Sequence, residues 1–331
     1  MKDEHWSARP EGGGYAALWL ITKIALACGR NATRLLLYPI TLYFFVRRRY
    51  ERRVSYAYLE RAFGRQASAW QVLRHIHRFA STILDRVFLL SERYTRFDIK
   101  VHGLGELVSR MRPDRGLLLL GAHVGSFEVL RVLASERPDV KVAALLDTQK
   151  TPAMTRILHS LNPTIARNVI DASRPGTDIV LALGEALSEG ALVTLLADRA
   201  RAREETVVVD FMGAPAPFPV APFLIGSLLK VPLVMCVGMY RGGNRYDLYF
   251  EALADELVLP RAGRKAALRS FVQHYATRLE YYVRQDPYNW FNWHDFWKIE
   301  HDGGAESSDR NAALAGSVGR GLESRLPEVI G

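Results

Sequence analysis

The sequence predicts an α/β protein in which a mainly parallel, mixed sheet is flanked by helices, preceded by an N-terminal helical region that associates with a membrane. Three observations lead to this prediction. From residue 97 onward, short apolar segments typical of buried strands alternate with segments of helical periodicity. A long apolar stretch, residues 15–46, comes before them and is followed by basic residues at 47–53. Finally, the 331 residues are 49% hydrophobic and 24% charged, which allows a real core and argues against a multi-pass membrane protein.

The predicted elements follow one another as a sheet with helical crossovers requires. The predicted strands are residues 97–103, 116–123, 140–146, 168–172, 191–198, 207–211, 232–240 and 245–253. The predicted helices are two within 54–92 separated by Gly64, then 126–135, 151–161, 178–190, one after the proline-rich 215–223, and 265–284. The sequence contains no internal repeat, and neither a dinucleotide-binding glycine motif nor a P-loop.

The positive charge is concentrated at the front of the chain. The first 100 residues hold 18 Lys and Arg against 8 Asp and Glu, whereas the net charge of the whole protein is +9. The longest uncharged run there, Leu35–Val46, is 12 residues and too short to span a bilayer. Apolar segments with interspersed arginines and a basic flank favour an anchor lying in the interface of an anionic leaflet.

Two other interpretations of this region stay open. The segment could be an amphipathic hairpin packed on its own domain, or, less plausibly, a transmembrane span. A cleavable signal peptide is not indicated, because acidic Asp3 and Glu4 precede the apolar run and no clean cleavage site follows it. We therefore predict three parts: membrane-associating helices at 1–53, an α/β domain at 54–300 and a flexible tail at 301–331.

His123 is the first candidate for catalysis. It lies at the end of a buried strand of the parallel type, at the sheet edge where α/β proteins bind ligands. Gly121, Ala122 and Gly125 keep the turn small, so that a substrate could approach the backbone. Glu128, in the first turn of the next predicted helix, could accept a hydrogen bond from the imidazole and leave the other ring nitrogen as a base. The alternative is a packed core histidine.

Several segments together resemble one family. The segment GAHVGSFEVL at 121–130 resembles the H-x4-D/E motif of the lysophospholipid acyltransferase superfamily, in its bacterial lipid A biosynthesis (lauroyl/myristoyl) branch. LVTLLADRA at 192–200, the proline-rich block at 209–243 and the aromatic ending at 289–298 also resemble that branch, in the same order. The similarity covers residues 15–298, with departures at Ala221, Asp295 and Phe296.

The resemblance implies direct transfer of an acyl chain from acyl-carrier protein or acyl-CoA to a hydroxyl of a lipid or glycolipid such as a lipid A precursor. His123 would be the base and Glu128 its orienting acid. No Ser or Cys sits in a nucleophile elbow, which agrees with direct transfer, and Ser126 is interpreted as a helix cap. Neither a cofactor nor a metal is expected. The resemblance places the enzyme on the cytoplasmic face of the inner membrane.

Eight further residues are candidates for substrate binding. Arg156 and Arg167 lie where the family keeps an arginine suited to an acceptor phosphate, although each could be an ordinary surface residue. Asp198 and Arg199 end a buried strand on the same sheet edge as His123. Four residues of the proline-rich block are expected to shape an acyl groove, with plain packing as the alternative: Phe211, Gly213, Phe218 and Pro219.

Two rival hypotheses remain at this stage. A basic α/β protein could bind an anionic lipid or nucleic acid without turnover, although no known nucleic-acid-binding motif supports the second version. The same fold could also hydrolyse thioesters. The two Cys residues, Cys28 and Cys236, lie in apolar stretches and are interpreted as reduced packing residues.

Overall fold

The computed structural model describes residues 15–130, 140–149, 152–201 and 204–299. The second half of the helix predicted at 126–135 and the tail predicted at 301–331 lie outside the described residues. The described residues up to Trp297 belong to one compact unit.

The helices bear out the periodicity of the sequence. They are α1 (Tyr15–Arg47), α2 (Arg49–Phe63), α3 (Ala69–Leu90), α4 (Leu104–Val108), α5 (Pro152–Leu161), α6 (Pro163–Arg167), α7 (Gly176–Ser188), α8 (Ala221–Leu229) and α9 (Arg264–Gln285). Gly64 ends α2 in the left-handed conformation, as expected of a glycine between two helices. Ser68 begins α3 with a capping box made with Gln71.

The strands form one large sheet and one hairpin. They are β1 (Asp98–His102), β2 (Leu117–Gly121), β3 (Val142–Leu146), β4 (Val169–Asp171), β5 (Leu192–Leu196), β6 (Thr206–Phe211), β7 (Ala214–Pro219), β8 (Leu233–Gly242) and β9 (Arg245–Ala254). The seven-stranded sheet has the order β1-β9-β8-β2-β5-β3-β4. Strands β8, β2, β5, β3 and β4 are parallel, and β9 pairs antiparallel with β8 and parallel with β1. The prediction of a mainly parallel sheet that is mixed at one edge is confirmed.

Strand β2 lies in the interior of this sheet and is covered on both faces. Its residues Leu117–Leu120 have no exposed surface. Leu118 and Leu120 pack in a core cluster that includes α7, α9 and the β6–β7 hairpin, whereas Leu117 and Leu119 pack in a second cluster with residues of α3 and α4. A strand buried on both faces must be apolar at every position, which explains the continuous leucine run.

The β6–β7 hairpin was not predicted in full, because the proline-rich segment was not assigned to a strand. Pro215, Pro217 and Pro219 occupy alternate positions of β7, opposite Asp210, Val208 and Thr206. Backbone N–H groups at alternate positions of a strand point to the same side, so the three missing donors share one edge. Each strand of a two-stranded hairpin has one edge that pairs with no other strand, so prolines along that edge are compatible with a strand.

Helix α1 packs along α3 instead of standing apart from the domain. Gly29 has φ +80° and bends α1, and the next residue, Arg30, forms a bidentate pair with Asp85 of α3 at 2.7 and 2.8 Å. Both side chains are buried. Among the described helices, none is both long and apolar enough to cross a membrane.

Candidate active site

The turn that carries His123 leaves β2 at the carboxyl edge of the sheet. Gly125 in this turn has φ +59°, and a Cβ atom there would lie 2.0 Å from the carbonyl oxygen of Gly238 in β8. Gly238 is restricted in the same way, since its Cβ would lie 2.2 Å from the carbonyl oxygen of Ser126. The Ser126 N–H donates to that Gly238 carbonyl at 2.8 Å. Two facing glycines therefore allow the turn to pack directly against β8, whereas the sequence had suggested that the small residues leave room for a substrate.

His123 contacts Asp198, which follows the neighbouring strand β5. The imidazole Nδ1–H donates to Oδ1 of Asp198 at 2.8 Å, and the backbone N–H of His123 donates to Oδ2 at 3.0 Å. The Asp198 side chain is fully buried, whereas 32% of the His123 side chain is exposed. Because a carboxylate only accepts, the pair assigns the proton to Nδ1 and leaves the Nε2 lone pair free to act as a base.

The segment Asn289–Phe291 holds the other side of this turn. Phe291 N–H donates to the carbonyl oxygen of His123 at 2.8 Å, and Gly125 N–H donates to that of Asn289 at 2.8 Å. The indole Nε1–H of Trp290 donates to Oδ2 of Asp198 at 3.1 Å. The carboxylate thus accepts three hydrogen bonds and has a single fixed orientation. A base held in this way needs little reorganisation before it reacts.

Electrostatics favours a neutral histidine beside an ionised aspartate. Desolvation lowers the pKa of His123, and the positive charges of Arg199 and Arg86 lower it further against the opposing effect of Asp198. Burial alone would raise the pKa of Asp198, but the attraction and hydrogen bonds of His123 and the charge of Arg199 hold it well below its usual range. Burial also lowers the pKa of Arg199 to about 10, so this guanidinium remains cationic at neutral pH. At neutral pH the imidazole is therefore ready to accept a proton.

Glu128 is not the partner of His123 in the structure, contrary to the geometry expected from the sequence. Its Oε1 forms an ion pair with Nε of Arg86 on α3 at 2.7 Å, and its Oε2 accepts a hydrogen bond from Oγ of Ser126 at 3.2 Å. The segment Phe127–Val129 is a short 3-10 turn, and the Ser126 side chain makes no capping bond to it. Glu128 consequently ties the histidine turn to α3, while Asp198 orients the imidazole.

The four candidates in the proline-rich block lie mostly in the core. Phe211 and Phe218 have no exposed surface and pack edge-to-face on each other, with ring centroids 5.4 Å apart. Phe211 also packs on Trp290, at 5.2 Å. Pro219 is buried, and Gly213 is exposed in the tight turn between β6 and β7 with φ +77°. Because their side chains have no exposed surface, Phe211 and Phe218 do not line a groove. Both pack in the core, where Phe211 lies against Trp290.

The two outlying arginines lie on the helices that connect β3 and β4. Arg156 is exposed on α5, which follows β3. Arg167 is exposed at the end of α6, directly before β4. Since β4 is parallel to β3, the start of β4 faces the edge of the sheet opposite the carboxyl ends of the parallel strands. Arg199, by contrast, lies beside the pair and donates to the carbonyl oxygen of Phe291.

Sequence reasoning missed three residues of this site: Arg86, Tyr275 and the indole of Trp290. The hydroxyl of Tyr275 donates to the carbonyl oxygen of Gly121 at 2.7 Å and so fixes the end of β2. Arg86 could have been noticed as a charge within the apolar end of α3. Nothing local indicates that Trp290 meets Asp198, since that contact joins residues 92 positions apart.

The geometry of the site defines a class of protein. A solvent-accessible histidine base, oriented by a buried carboxylate at the carboxyl edge of a parallel sheet, suits proton transfer from a hydroxyl. Within the described part of the chain, no group of three His, Cys, Asp or Glu side chains is arranged to hold a metal. The fold and the site are thus those of an α/β enzyme with acid–base chemistry.

The chain belongs to the bacterial lipid A biosynthesis acyltransferases. The model of this family matches residues 14–299, which is most of the chain. A search among individually curated proteins finds no match. The protein is therefore an acyltransferase that acts on lipid, and the family resemblance stated from the sequence is confirmed.

Proposed function

We propose that the protein is a membrane-associated O-acyltransferase that moves a fatty acyl chain from acyl-carrier protein or acyl-CoA to a hydroxyl of a lipid or glycolipid, such as a lipid A precursor. The observation that carries this proposal is the His123–Asp198 pair, which leaves Nε2 of a partly exposed imidazole as the base. The family match supports the acyl transfer and the lipid substrate.

In the proposed reaction Nε2 of His123 takes the proton of the acceptor hydroxyl while the hydroxyl oxygen attacks the thioester carbonyl carbon. The tetrahedral anion collapses by breaking the C–S bond, and the leaving thiolate recovers the proton from Nε2. The products are an ester and a free thiol, so atoms and charges balance. Asp198 keeps its hydrogen bond to Nδ1 throughout and stabilises the imidazolium.

Two arginines support the negative charge that develops during this reaction. Arg199 and Arg86 are both close enough to His123 to lower its pKa. A fixed positive potential stabilises the tetrahedral anion and the leaving thiolate more than the neutral reactants. Arg86 is held in place by its ion pair with Glu128. The glutamate of the H-x4-E motif is therefore proposed to contribute through this arginine.

Membrane contact is proposed for the outer face of α1. Large apolar side chains on this helix are exposed to 40–70%, including Leu35 at 69%, Tyr38 at 65% and Tyr43 at 59%. Basic Lys23 lies in the first half of α1, and Arg47 at its end is followed by Arg48 and Arg49. Such a surface suits a position in the headgroup region of an anionic leaflet. Because acyl-carrier protein and acyl-CoA are cytoplasmic donors, we propose that the site faces the cytoplasm at the inner membrane.

The test is acyl transfer by purified protein in detergent micelles, with acyl-carrier protein or acyl-CoA as donor and a lipid A precursor as acceptor. Wild type is expected to form the acylated lipid, and His123→Ala to lose roughly 10²–10⁴-fold in rate. His274→Ala, which changes an exposed histidine of α9, is the matched control and should match wild type. Release of free fatty acid without any acceptor would instead identify a thioesterase.

The pH profile offers a second check on the same site. Because the pKa of His123 is lowered from 6.5, the base stays unprotonated at neutral pH, and the rate should decline only as the pH falls below 6.5. In cells, mass spectrometry of lipids from a deletion strain complemented with wild type or His123→Ala identifies the acceptor. If the wild-type gene restores no acylated lipid, or the variant restores it fully, the proposal fails.

A further inference from the structure

We propose that a basic groove between α1 and the β8–β9 turn binds the phosphate of an anionic lipid head group. This groove is separate from the His123–Asp198 pair. It has a volume of about 490 Å³ and is lined by Arg30, Asn31, Arg34, Arg96, Gly243 and Asn244. The proposal rests on the membrane contact proposed above and adds to it a defined site for a lipid.

The groove is built on a fixed frame. The backbone carbonyl of Gly243 in the β8–β9 turn accepts hydrogen bonds from both Arg30 and Arg34. Arg34 Nη1 also donates to the hydroxyl of Tyr240 at 2.9 Å. On the opposite wall, the amide of Asn244 donates to the backbone carbonyl of Arg96 at 3.0 Å. These bonds connect the three segments that form the walls, so the groove does not depend on a ligand for its shape.

The net charge of the groove is positive. Arg30 is neutralised by its pair with Asp85, and no acidic side chain is among the residues that line the groove. The charges of Arg34 and Arg96 therefore remain to attract an anion. Among the described residues, all hydrogen bonds of the Arg34 guanidinium are made through Nη1, which leaves the N–H groups of Nε and Nη2 for a ligand. Paired N–H donors of this kind match the oxygens of a phosphate.

The surface beside the groove identifies the source of the phosphate as a lipid. Asn31, which lines the groove, is followed on the same face of α1 by Leu35, Tyr38 and Leu42, at helical spacing. These three side chains are 69, 65 and 56% exposed. A basic pocket at the end of an exposed apolar stripe matches an amphiphile, with its phosphate in the groove and its chains along the helix. A soluble phosphate compound has no acyl chains that could cover that apolar stripe.

Binding to vesicles tests the site in the full-length protein. Phosphatidylcholine vesicles with and without phosphatidylglycerol are compared by co-sedimentation. Wild type is expected to prefer the anionic vesicles, and Arg34→Gln with Arg96→Gln to weaken that binding roughly 30-fold, as two lost surface arginines imply. The matched control, Arg261→Gln with Arg264→Gln, removes two exposed charges beyond the far end of β9, at the opposite edge of the sheet. It should change binding less than about threefold.

Two further arms keep the test decisive. Arg34 also supports Tyr240, so Arg96→Gln alone, which alters an exposed side chain, is measured too and should cost about fivefold. Inorganic phosphate should displace the protein from vesicles no better than sodium chloride of equal ionic strength. Equal loss in both double variants, or displacement by inorganic phosphate, overturns the lipid site. Failure of acyl transfer in micelles by the wild type would overturn the catalytic proposal instead.

Discussion

At the scale of single residues, two acidic side chains could serve His123, and only Asp198 contacts it. Asp198→Asn should lower kcat about 10²–10⁴-fold, because an amide cannot stabilise the imidazolium. Glu128→Gln should lower it less than about tenfold while costing about 1–3 kcal/mol of stability, since the variant removes the negative charge that pairs with Arg86 and weakens the hydrogen bond from Ser126. Steady-state kinetics and denaturant unfolding separate the two effects. A Glu128→Gln enzyme that folds normally but is as inactive as Asp198→Asn would contradict this assignment.

The burial of His75 predicts how the stability of the protein depends on pH. It is fully buried, with Nδ1 2.8 Å from Oγ of Ser55 and Nε2 3.0 Å from the carbonyl oxygen of Trp290. Burial lowers the pKa of His75 from 6.5 to about 4, against the smaller opposing effect of the Trp290 carbonyl. The unfolded chain therefore binds the proton first as the pH falls, and stability is lost between about pH 6.5 and 4.

The size of this loss follows from the shift of His75. It corresponds to roughly 3 kcal/mol of unfolding free energy between neutral pH and pH 4. Urea unfolding of wild type and His75→Gln at a series of pH values measures it, because glutamine does not titrate. Parallel pH curves for the two proteins would show that His75 contributes nothing to the acid sensitivity.

At the scale of elements, the contact between the histidine turn and β8 depends on Gly125. Gly125→Ala would place a Cβ 2.0 Å from the Gly238 carbonyl oxygen in a backbone conformation with φ +59°. We expect it to destabilise the protein by about 1–3 kcal/mol or more and to lower activity, because the turn must move away from β8.

A second glycine supplies the control for this change. Gly105 lies in α4 and would place its Cβ in open space, so Gly105→Ala should be neutral or stabilising by up to about 1 kcal/mol. Thermal unfolding and acyl-transfer rates of both variants provide the measurement. If the two alanines behave alike, close approach of the turn to β8 is not required.

Secondary structure was predictable where periodicity is strong and local. The strands of the large sheet and the long helices appear within a few residues of their predicted positions. Strand β7 was missed because its three prolines argue against a strand, and only its register with β6 reveals that they share one edge. Of the helix predicted from Ser126, the described residues Phe127–Val129 form a 3-10 turn, and the Ser126 side chain bonds Glu128 without capping the backbone.

At the scale of the whole molecule, α1 is a packed part of the protein in addition to being a proposed membrane surface. A chain beginning at Arg48 lacks Arg30 and leaves Asp85 buried without its cation. Loss of one partner of a buried pair costs about 3–5 kcal/mol, so the shortened protein should unfold at lower temperature or fail to fold. A chain beginning at Tyr15 is the control. Equal melting temperatures for the two would favour residues 1–53 as a separable anchor.

The sequence by itself determined the fold class, the family and the position of His123. Local periodicity indicates the buried parallel strands and the amphipathic helices, and the histidine turn lies within one short, continuous segment from β2 to Glu128. Asp198 was recognised as a candidate because it ends an apolar strand, but its role was assigned to substrate binding.

Only the tertiary structure decided which acid orients the histidine. Glu128 is five residues from His123 and Asp198 is 75 residues away, yet β2 and β5 are neighbours in the sheet and bring Asp198 into contact. Glu128 instead forms an ion pair with Arg86, which lies on a helix that precedes the sheet. Spacing along the chain limits which side chains can meet, whereas strand order and the competition between charged partners determine which of them do.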